Sequence, residues 1–294
     1  MTHFVDLHTH STASDGIYSP DKLLQLASQA GLHVLALTDH DTTGGILEAA
    51  QAANALDIDF IPGIEINTDV NGGEVHVLGY FIDYTQPAFQ NILQTLRNAR
   101  ERRGQRMVEI LNEEGIHISW ERVREIAQGA VGRPHVARAL LEGGYVQSIA
   151  EAFDKYIGKG CPAYVPRYKL SPLHAVQLIV SANGLPVIAH PITVPGLAEL
   201  QRWLPELCQA GLVGLETYYG PYTPEEEQTL QALADQYQLI ATGGTDFHGP
   251  DIHPTPLGGR EVPYTAVTRL KEEAAKRQGK TPPTFILPPP EEEK

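Results

Sequence analysis

The chain has 294 residues, of which 42% are hydrophobic and 20% charged, and its formal net charge is -14. This length and balance are typical of one large globular domain or of a domain with a sizeable insertion. The acidic charge argues against stable binding of nucleic-acid duplexes, because proteins that coat them are usually basic. No apolar run approaches the ~20 residues that a membrane span needs, so we expect no membrane association.

The N-terminus and the cysteines predict a cytoplasmic protein. The opening residues, MTHFVDLHTH, lack the basic region and apolar stretch of a secretory signal. Cys161 and Cys208 lie far apart in sequence, and neither belongs to a CxxC pair. We therefore expect reduced thiols and no structural disulfide.

The first third of the chain alternates strand and helix signals. Short apolar runs predict buried strands, and segments rich in Ala, Leu and Glu predict helices. In chain order the predicted elements are strand Phe4–His8, helix Pro20–Ala30, strand His33–Thr38, helix Thr43–Asn54, strand Asp59–Asn67 and strand Glu74–Phe81.

The pattern changes between Pro87 and Gly160. This segment is charged and reads as helical, with ARERRGQRMVEILNEEG at its centre. It predicts a helical insertion or cap at 87–160, set between two parts of a barrel domain at 1–86 and 161–294. The basic run Arg97–Arg106 also contains Glu101, which favours a solvated helix face.

Alternation resumes after the insertion. The predicted elements are helix Pro172–Ala182, strand Leu185–Ala189, helix Leu197–Ala210, strand Leu212–Tyr218, helix Pro224–Tyr237, strand Leu239–Gly243 and helix Tyr264–Lys276. Strands that alternate with helices in this way indicate an α/β fold, and we expect a parallel α/β barrel rather than an open sheet.

Histidines and acidic residues gather at or just after the predicted strand ends. They are His8, His10, His40, His76, His190 and His248, accompanied by Asp15, Asp39, Glu65 and Asp246. Strand ends converge on one face of a barrel, where active sites are built. Side chains at i and i+2 share a face of a strand, so His8 and His10 can point at one ion, as can Asp246 and His248. Mixed nitrogen and oxygen ligands without cysteine favour an open catalytic site for Zn, Mn or Fe.

The motifs DLHTHSTASDG, LTDHDT, GIEIN, EVHVLGY, AHP and GTDFH together resemble the PHP superfamily, named for polymerase and histidinol phosphatase. The chain is most similar to the branch of nucleotide phosphatases and 5′-to-3′ exoribonuclease-type enzymes. The resemblance implies a distorted seven-stranded (β/α)7 TIM-like barrel with a trinuclear metal site.

The resemblance also implies how the ligands are shared. One ion would take His8, His10, Glu65 and Asp246. A second would share Glu65 and add His76 and His190, and a third would take Asp15, His40 and His248. We expect two to three divalent ions, with Mn, Fe or Zn as the candidates and Mg as an alternative. Asp39 is expected to orient a ligand, whereas Asp41 is expected to be exposed or to cap a helix.

The resulting hypothesis is a metal-dependent phosphoesterase that acts through a metal-bound hydroxide. Its substrates would be nucleotides such as 3′-phosphoadenosine 5′-phosphate, or short single-stranded oligonucleotides trimmed from the 5′ end. Asp246, His190 and His135 are the candidate catalytic residues, and similar motifs in related phosphatases make Arg133, His135 and Arg167 candidates for binding substrate phosphate.

Several alternatives remain open at this point. The arginines could make surface or domain-docking ion pairs, and His135 could be a packed structural residue. Tyr218 and Tyr219 could stack on a base, but packing under a loop is the preferred interpretation. The whole protein could be a histidinol-phosphate phosphatase or a non-catalytic metal-binding module.

Overall fold

The fold was determined from a computed structural model, which describes residues 4–70, 73–127, 131–165, 170–193, 197–250, 252 and 254–288. In these residues, strands in chain order form one sheet of seven. They are β1 Phe4–Asp6, β2 Leu32–Leu37, β3 Asp59–Val70, β4 Gly73–Tyr80, β5 Leu185–Ile188, β6 Gly214–Tyr219 and β7 Ile240–Gly244.

The sheet curves into a nearly closed barrel because β7 returns to β1. The Leu7 N–H donates to the Gly243 carbonyl at 3.2 Å, and Thr9 forms a parallel bridge with Phe247 just beyond the two strands. The approach is close: a Cβ added to Gly244 would lie 2.5 Å from the His8 backbone nitrogen. Glycine is therefore needed at this point for the barrel to close.

The expected α/β barrel is confirmed, but the expectation that all its strands run parallel is wrong. β4 is antiparallel to both β3 and β5, whereas the other neighbouring pairs are parallel. Val70 pairs with Gly73 at the end of the β3–β4 ladder, and the chain between them is too short for the crossover of a dozen or more residues that parallel strands need. The reversal brings His76, near the start of β4, to the rim where the parallel strands end.

Outside the segment 87–160, for which no individual helices were predicted, the helices begin and end within a few residues of the predicted positions. In the described part of the chain they are α1 Pro20–Gln29, α2 Ile46–Leu56, α3 Pro87–Glu113, α4 Trp120–Ala127, α5 Arg133–Glu142, α6 Ile149–Ala152, α7 Pro172–Ser181, α8 Leu197–Ala210, α9 Pro224–Gln236 and α10 Tyr264–Arg277. Local sequence sets some of these boundaries. Thr223 and Glu226 form a reciprocal capping box ahead of α9, which satisfies backbone donors that a helix start leaves free.

The barrel core has two main parts. One buried cluster joins Val5, Ile61 and Val187 of the strands to Leu270 of α10. A larger cluster packs β3 and β4 against the outer helices α7, α8 and α9. Burial of this apolar surface stabilises the scaffold that carries the rim residues. Among the described helices, none has the length and apolarity to cross a membrane.

Helices α3 to α6 cover one side of the rim. From Val108 onward, their apolar side chains form a cluster of their own, which includes Val136 and Leu140. Phe89 and Leu93, near the start of α3, instead pack into the larger barrel cluster. A separate core is what an inserted domain needs. On this basis we propose that residues 87–160 form the cap and that 1–86 and 161–294 form the barrel domain.

Candidate metal centre

The rim brings together side chains from distant parts of the chain. His8 and His10 follow β1, and Asp246 follows β7 at the closing seam. The Nε2 atoms of His8 and His10 both lie 3.2 Å from Glu65 Oε2. They lie 3.2 and 3.1 Å from Asp246 Oδ1. These side chains form a buried group with the composition and spacing to hold one metal ion, and they are the ligands expected for the first ion.

Glu65 faces a second group with its other oxygen. His76 Nδ1 lies 2.9 Å from Glu65 Oε1, and His190 Nε2 lies 3.2 Å from the same atom. His40 also belongs with Glu65 and His76. Its Nδ1 lies 3.1 Å from Glu65 Oε2, the oxygen that faces His8 and His10. One carboxylate therefore lies between two sets of imidazoles, as a bridging ligand would.

A third group surrounds Asp15. His248 Nε2 lies 3.3 Å from Asp15 Oδ1, and His40 Nε2 lies 3.8 Å from Asp15 Oδ2. His10 belongs to this group as well, although it was expected only at the first ion. The structure thus brings the nine predicted ligands to one rim, and whether they bind metal as grouped stays a prediction.

The donor atoms fit divalent cations. Within the described residues, both ring nitrogens of His10, the Nε2 of His76 and the Oδ1 of Asp15 are buried without a hydrogen bond, an arrangement that is costly unless another partner binds them. In a tetrahedral site with bonds of ~2.0–2.1 Å, neighbouring ligand atoms lie about 3.3 Å apart. The nitrogen-to-oxygen distances around Glu65 Oε2, 3.1–3.2 Å, are close to this spacing.

Burial and mutual attraction shift the protonation of the cluster. Burial opposes the charge of Glu65, but His40, His8 and His76 outweigh it and hold its pKa well below the usual value. Burial likewise disfavours charged His10, but the attraction of the neighbouring Asp246 and Glu65 carboxylates prevails and raises its pKa to about 10. Burial lowers the pKa of His40 to about 3. Cations that bind here would compete with the protons on His10.

Comparisons with known proteins place the chain in a family. The family model described as PHP domain matches residues 6–160. The chain belongs to the PHP family. It is 36% identical to a 5′-3′ exoribonuclease from Haemophilus influenzae over 251 residues, covering 85% of this chain and 92% of that protein. It is 34% identical to a 3′,5′-nucleoside bisphosphate phosphatase from Chromobacterium violaceum over 264 residues, covering 89% and 91%.

Solved structures agree with this family. An amidohydrolase from Chromobacterium violaceum with bound sulfate superposes with a TM-score of 0.83 at 32% identity, over 92% of this chain and 96% of that chain. A candidate metal-dependent phosphoesterase from Bifidobacterium adolescentis has the same TM-score, 0.83, at 30% identity, over 93% and 97%. With these relatives and the clustered metal-binding side chains at its rim, this PHP protein is a metal-dependent phosphoesterase.

Sequence reasoning missed a carboxylate behind the PHP metal centre. Glu216 of β6 is fully buried. Its Oε1 lies 2.9 Å from His8 Nδ1, and its Oε2 accepts a hydrogen bond from the His190 N–H at 2.7 Å. The available signal was an acidic residue inside the apolar run LVGLETY, where an isolated charge would be costly to bury.

The neighbouring tyrosine also contacts a predicted ligand. The Tyr219 hydroxyl donates to Asp246 Oδ2 at 3.0 Å, and its ring lies 5.5 Å from that of His190 between centroids. The preferred interpretation, packing rather than base stacking, agrees with its 6% exposure. The hydroxyl contact with Asp246 was not expected.

The two aspartates on either side of His40 have different partners. Asp39 accepts hydrogen bonds from the Ser11 backbone and hydroxyl at 2.8 and 2.7 Å and from the Ser14 hydroxyl at 2.7 Å. It therefore holds the loop between His10 and Asp15. The expectation that Asp41 is exposed or caps a helix is wrong: it is buried, and its Oδ2 lies 2.7 Å from Arg100 Nε.

A cavity of about 270 Å³ separates the metal centre from the cap. Its barrel wall includes Asp15, His40 and His76, and its cap wall includes Arg100 and Arg133. The expectation of a solvated face over Arg97–Arg106 is wrong for part of this run, because Arg100 and Arg103 line the cavity. Both arginines also contact residues outside the cap. Arg100 Nε lies 2.7 Å from Asp41 Oδ2, and Arg103 Nε donates to the Val165 carbonyl at 2.6 Å.

The predicted phosphate-binding residues are placed as follows. Arg133 lines the cavity, forms an ion pair with Glu74, and lies over the Phe153 ring at 5.3 Å. His135 is buried and lines a second cavity that shares Ser14 and Asp15 with the first. Arg167 lies outside the described residues.

Proposed function

We propose that this phosphoesterase hydrolyses phosphate esters of nucleotides, either nucleoside 3′,5′-bisphosphates or short single-stranded oligonucleotides. The observation that carries the proposal is a His- and carboxylate-rich centre that opens into an arginine-lined cavity of about 270 Å³. That volume is just below the ~300–1,000 Å³ typical of small-molecule sites. The relatives named as a bisphosphate phosphatase and an exoribonuclease support this substrate class.

The metal centre is proposed to hold two to three divalent ions. His8, His10, Glu65 and Asp246 would hold the first, and Glu65, His76 and His190 the second. Asp15, His40 and His248 would hold the third. Mixed imidazole and carboxylate ligands suit Mn, Fe or Zn, with Mg as an alternative. Bound ions would lower the pKa of water and offset the negative charge of a phosphate.

Arg133 is proposed to grip the substrate phosphate. Its guanidinium is held between Glu74 and the Phe153 ring at the cavity wall. Arginine has five N–H donors, and the contact with Glu74 uses only one of its nitrogens. The others remain able to bind phosphate oxygens in the planar, paired geometry that arginine favours.

His135 is proposed to act as a hydrogen-bond donor rather than as a base. Its Nδ1 accepts a hydrogen bond from the Gly132 N–H at 2.9 Å, so the proton of the neutral ring resides on Nε2. Burial lowers the pKa of His135, which favours that neutral form near pH 7. The ring can therefore donate Nε2–H to a phosphate oxygen or to the leaving group, and it has no free lone pair with which to accept a proton.

One assay series tests this function. The purified protein, supplied with Mn, would be given 3′-phosphoadenosine 5′-phosphate, a short 5′-phosphorylated RNA and histidinol phosphate. We expect release of phosphate or nucleotide from the first or second substrate but not from the third. The activities for which these relatives are named support nucleotide substrates more than histidinol phosphate as a substrate, and more than a non-catalytic role. Hydrolysis of histidinol phosphate alone, or of none of the three by metal-loaded protein, would refute the proposal.

A pair of arginine variants tests the cavity as the substrate site. Arg133→Ala should lower kcat/KM on the active substrate at least about tenfold, since a charge-assisted contact contributes about 1.5–3 kcal/mol. Arg106→Ala is the control, because Arg106 lies in the same cap but pairs with Glu109 and Glu113 at the surface. Equal kinetics for the two variants would remove Arg133 from the site.

A further inference from the structure

Glu216 contacts two predicted metal ligands that belong to different parts of the barrel. Its Oε1 lies 2.9 Å from the Nδ1 of His8, after β1, and its Oε2 accepts from the backbone N–H of His190, after β5, at 2.7 Å. Both the His8 and Glu216 side chains have zero exposure. Each oxygen of a single carboxylate thus serves a different ligand.

The contact with His8 selects the tautomer that a metal needs. A carboxylate is an acceptor only, so Glu216 requires a proton on His8 Nδ1. The neutral ring then carries its lone pair on Nε2. That nitrogen lies 3.2 Å from both Glu65 Oε2 and Asp246 Oδ1, and so faces the remaining ligands of the first ion. The opposite tautomer would turn an N–H toward them.

The contact with His190 holds an unusual backbone. His190 has a φ of 28°, in a region that residues other than glycine seldom adopt and that persists only where the surroundings enforce it. The hydrogen bond from its N–H to Glu216 enforces it from the barrel interior. This conformation keeps His190 Nε2 3.2 Å from Glu65 Oε1, beside the other ligands of the second ion.

We propose that Glu216 is a positioning residue that couples the first and second metal sites, which rests on the proposed metal-dependent function. It fixes the imidazole of one ligand and the backbone of the other. Hydrogen-bond partners behind metal ligands typically change metal affinity by about 10–100-fold when they are lost. Because the two contacts share one carboxylate, a change at Glu216 should weaken both ions together.

Glu216→Gln tests this coupling without changing the size of the side chain. An amide offers one acceptor and one donor group, so it cannot accept from both His8 and His190. We expect Mn affinity at two sites to fall by about 10–100-fold, measured by calorimetric titration of apo protein and by metal content after dialysis. Activity should return at high Mn, with KM for the substrate unchanged. The near-UV circular dichroism of the apo protein should match that of the unsubstituted protein.

Thr217→Val is the matched control. Thr217 is the next residue of β6 and equally buried, and within the described part of the chain its hydroxyl donates to the Leu215 carbonyl alone, at 3.4 Å. Its Mn titration should match that of the unsubstituted protein. Unchanged Mn affinity in Glu216→Gln, or an equal loss in both variants, would overturn the proposal.

A measurement on the unsubstituted protein decides the matter even if Glu216→Gln does not fold. Nitrogen-15 NMR of histidine-labelled protein loaded with Zn reports the tautomer of each ring. The resonance that disappears in His8→Ala should show a protonated Nδ1. A protonated Nε2 would overturn the proposal. Neither this measurement nor the Mn titration depends on the substrate, so they remain informative if the proposed nucleotide hydrolysis fails.

Discussion

The carboxylate of Asp6 should contribute strongly to stability at the seam where the barrel closes. Asp6 lies in β1 and is fully buried. Its Oδ1 accepts from the backbone N–H groups of Thr245 at 3.0 Å and His8 at 3.3 Å. Its Oδ2 accepts from the Thr245 hydroxyl at 2.6 Å and the Gly258 N–H at 3.0 Å. One side chain therefore joins the first strand to two segments near the end of the chain.

The cost of Asp6→Ala follows from these donors. The Thr245 hydroxyl can rotate to another partner, but the backbone N–H groups of Thr245, His8 and Gly258 cannot. Each buried donor left without a partner costs about 1–3 kcal/mol. Water that enters the vacated space would bond to some of these donors and recover part of the lost free energy. We therefore expect Asp6→Ala to lower the free energy of unfolding by about 3–6 kcal/mol.

Asp6→Asn should cost less, about 1–3 kcal/mol. In this variant the amide nitrogen of the new side chain would take the Oδ2 position. The Thr245 hydroxyl can turn and accept from that nitrogen, so the Gly258 N–H is the one donor left facing another donor. Urea unfolding in the presence of a chelator measures both variants without stabilisation by bound metal. Asp59→Ala is the control, since Asp59 pairs with Lys271 at the surface and should cost less than about 1 kcal/mol. A loss below about 1 kcal/mol for Asp6→Ala would refute the reasoning.

Other expectations concern the metal centre and the cap. Tyr219→Phe removes the hydroxyl that contacts Asp246 and should weaken Mn binding at least about tenfold in a titration; unchanged affinity would contradict this. Arg100→Met leaves the buried Asp41 without its ion-pair partner and should cost about 3 kcal/mol in urea unfolding, whereas a neutral effect would show that water replaces the partner. Because the pKa of His10 is raised to about 10, Mn affinity should fall as pH is lowered from 9 to 7, and a flat profile would contradict proton competition.

The sequence predicted the alternation of strands and helices well but not the direction of every strand. Apolar runs and segments rich in Ala, Leu and Glu are local signals, and outside the cap they located the elements to within a few residues. Strand direction depends on how the chain returns. The short segment between the strands Asp59–Asn67 and Glu74–Phe81 carried that information, since it leaves no room for a parallel crossover. The expectation of a uniformly parallel barrel overlooked it.

The sequence also located the residues that meet at the rim, but not the side chains behind them. Ligand types recur at strand ends, so their convergence follows once a barrel is assumed. Glu216 lies 208 positions from its partner His8, and the Arg100 contact with Asp41 joins the cap to the barrel. Neither pair leaves a periodic trace in the sequence. An acidic residue within an apolar strand was the one local sign that Glu216 has a buried partner.

The position of the metal centre has a consequence for the fold as a whole. His8 and His10 follow the first strand, and Asp246 and His248 follow the last, so the ligands of the first and third groups lie on both sides of the closing seam. Without a cation, the raised pKa of His10 means that a proton supplies part of the positive charge there. A divalent ion would join both sides directly, and its binding energy would add to the stability of the closed barrel. Metal loading should therefore raise the stability of the closed barrel, whereas the Asp6 contacts maintain closure in the apo protein.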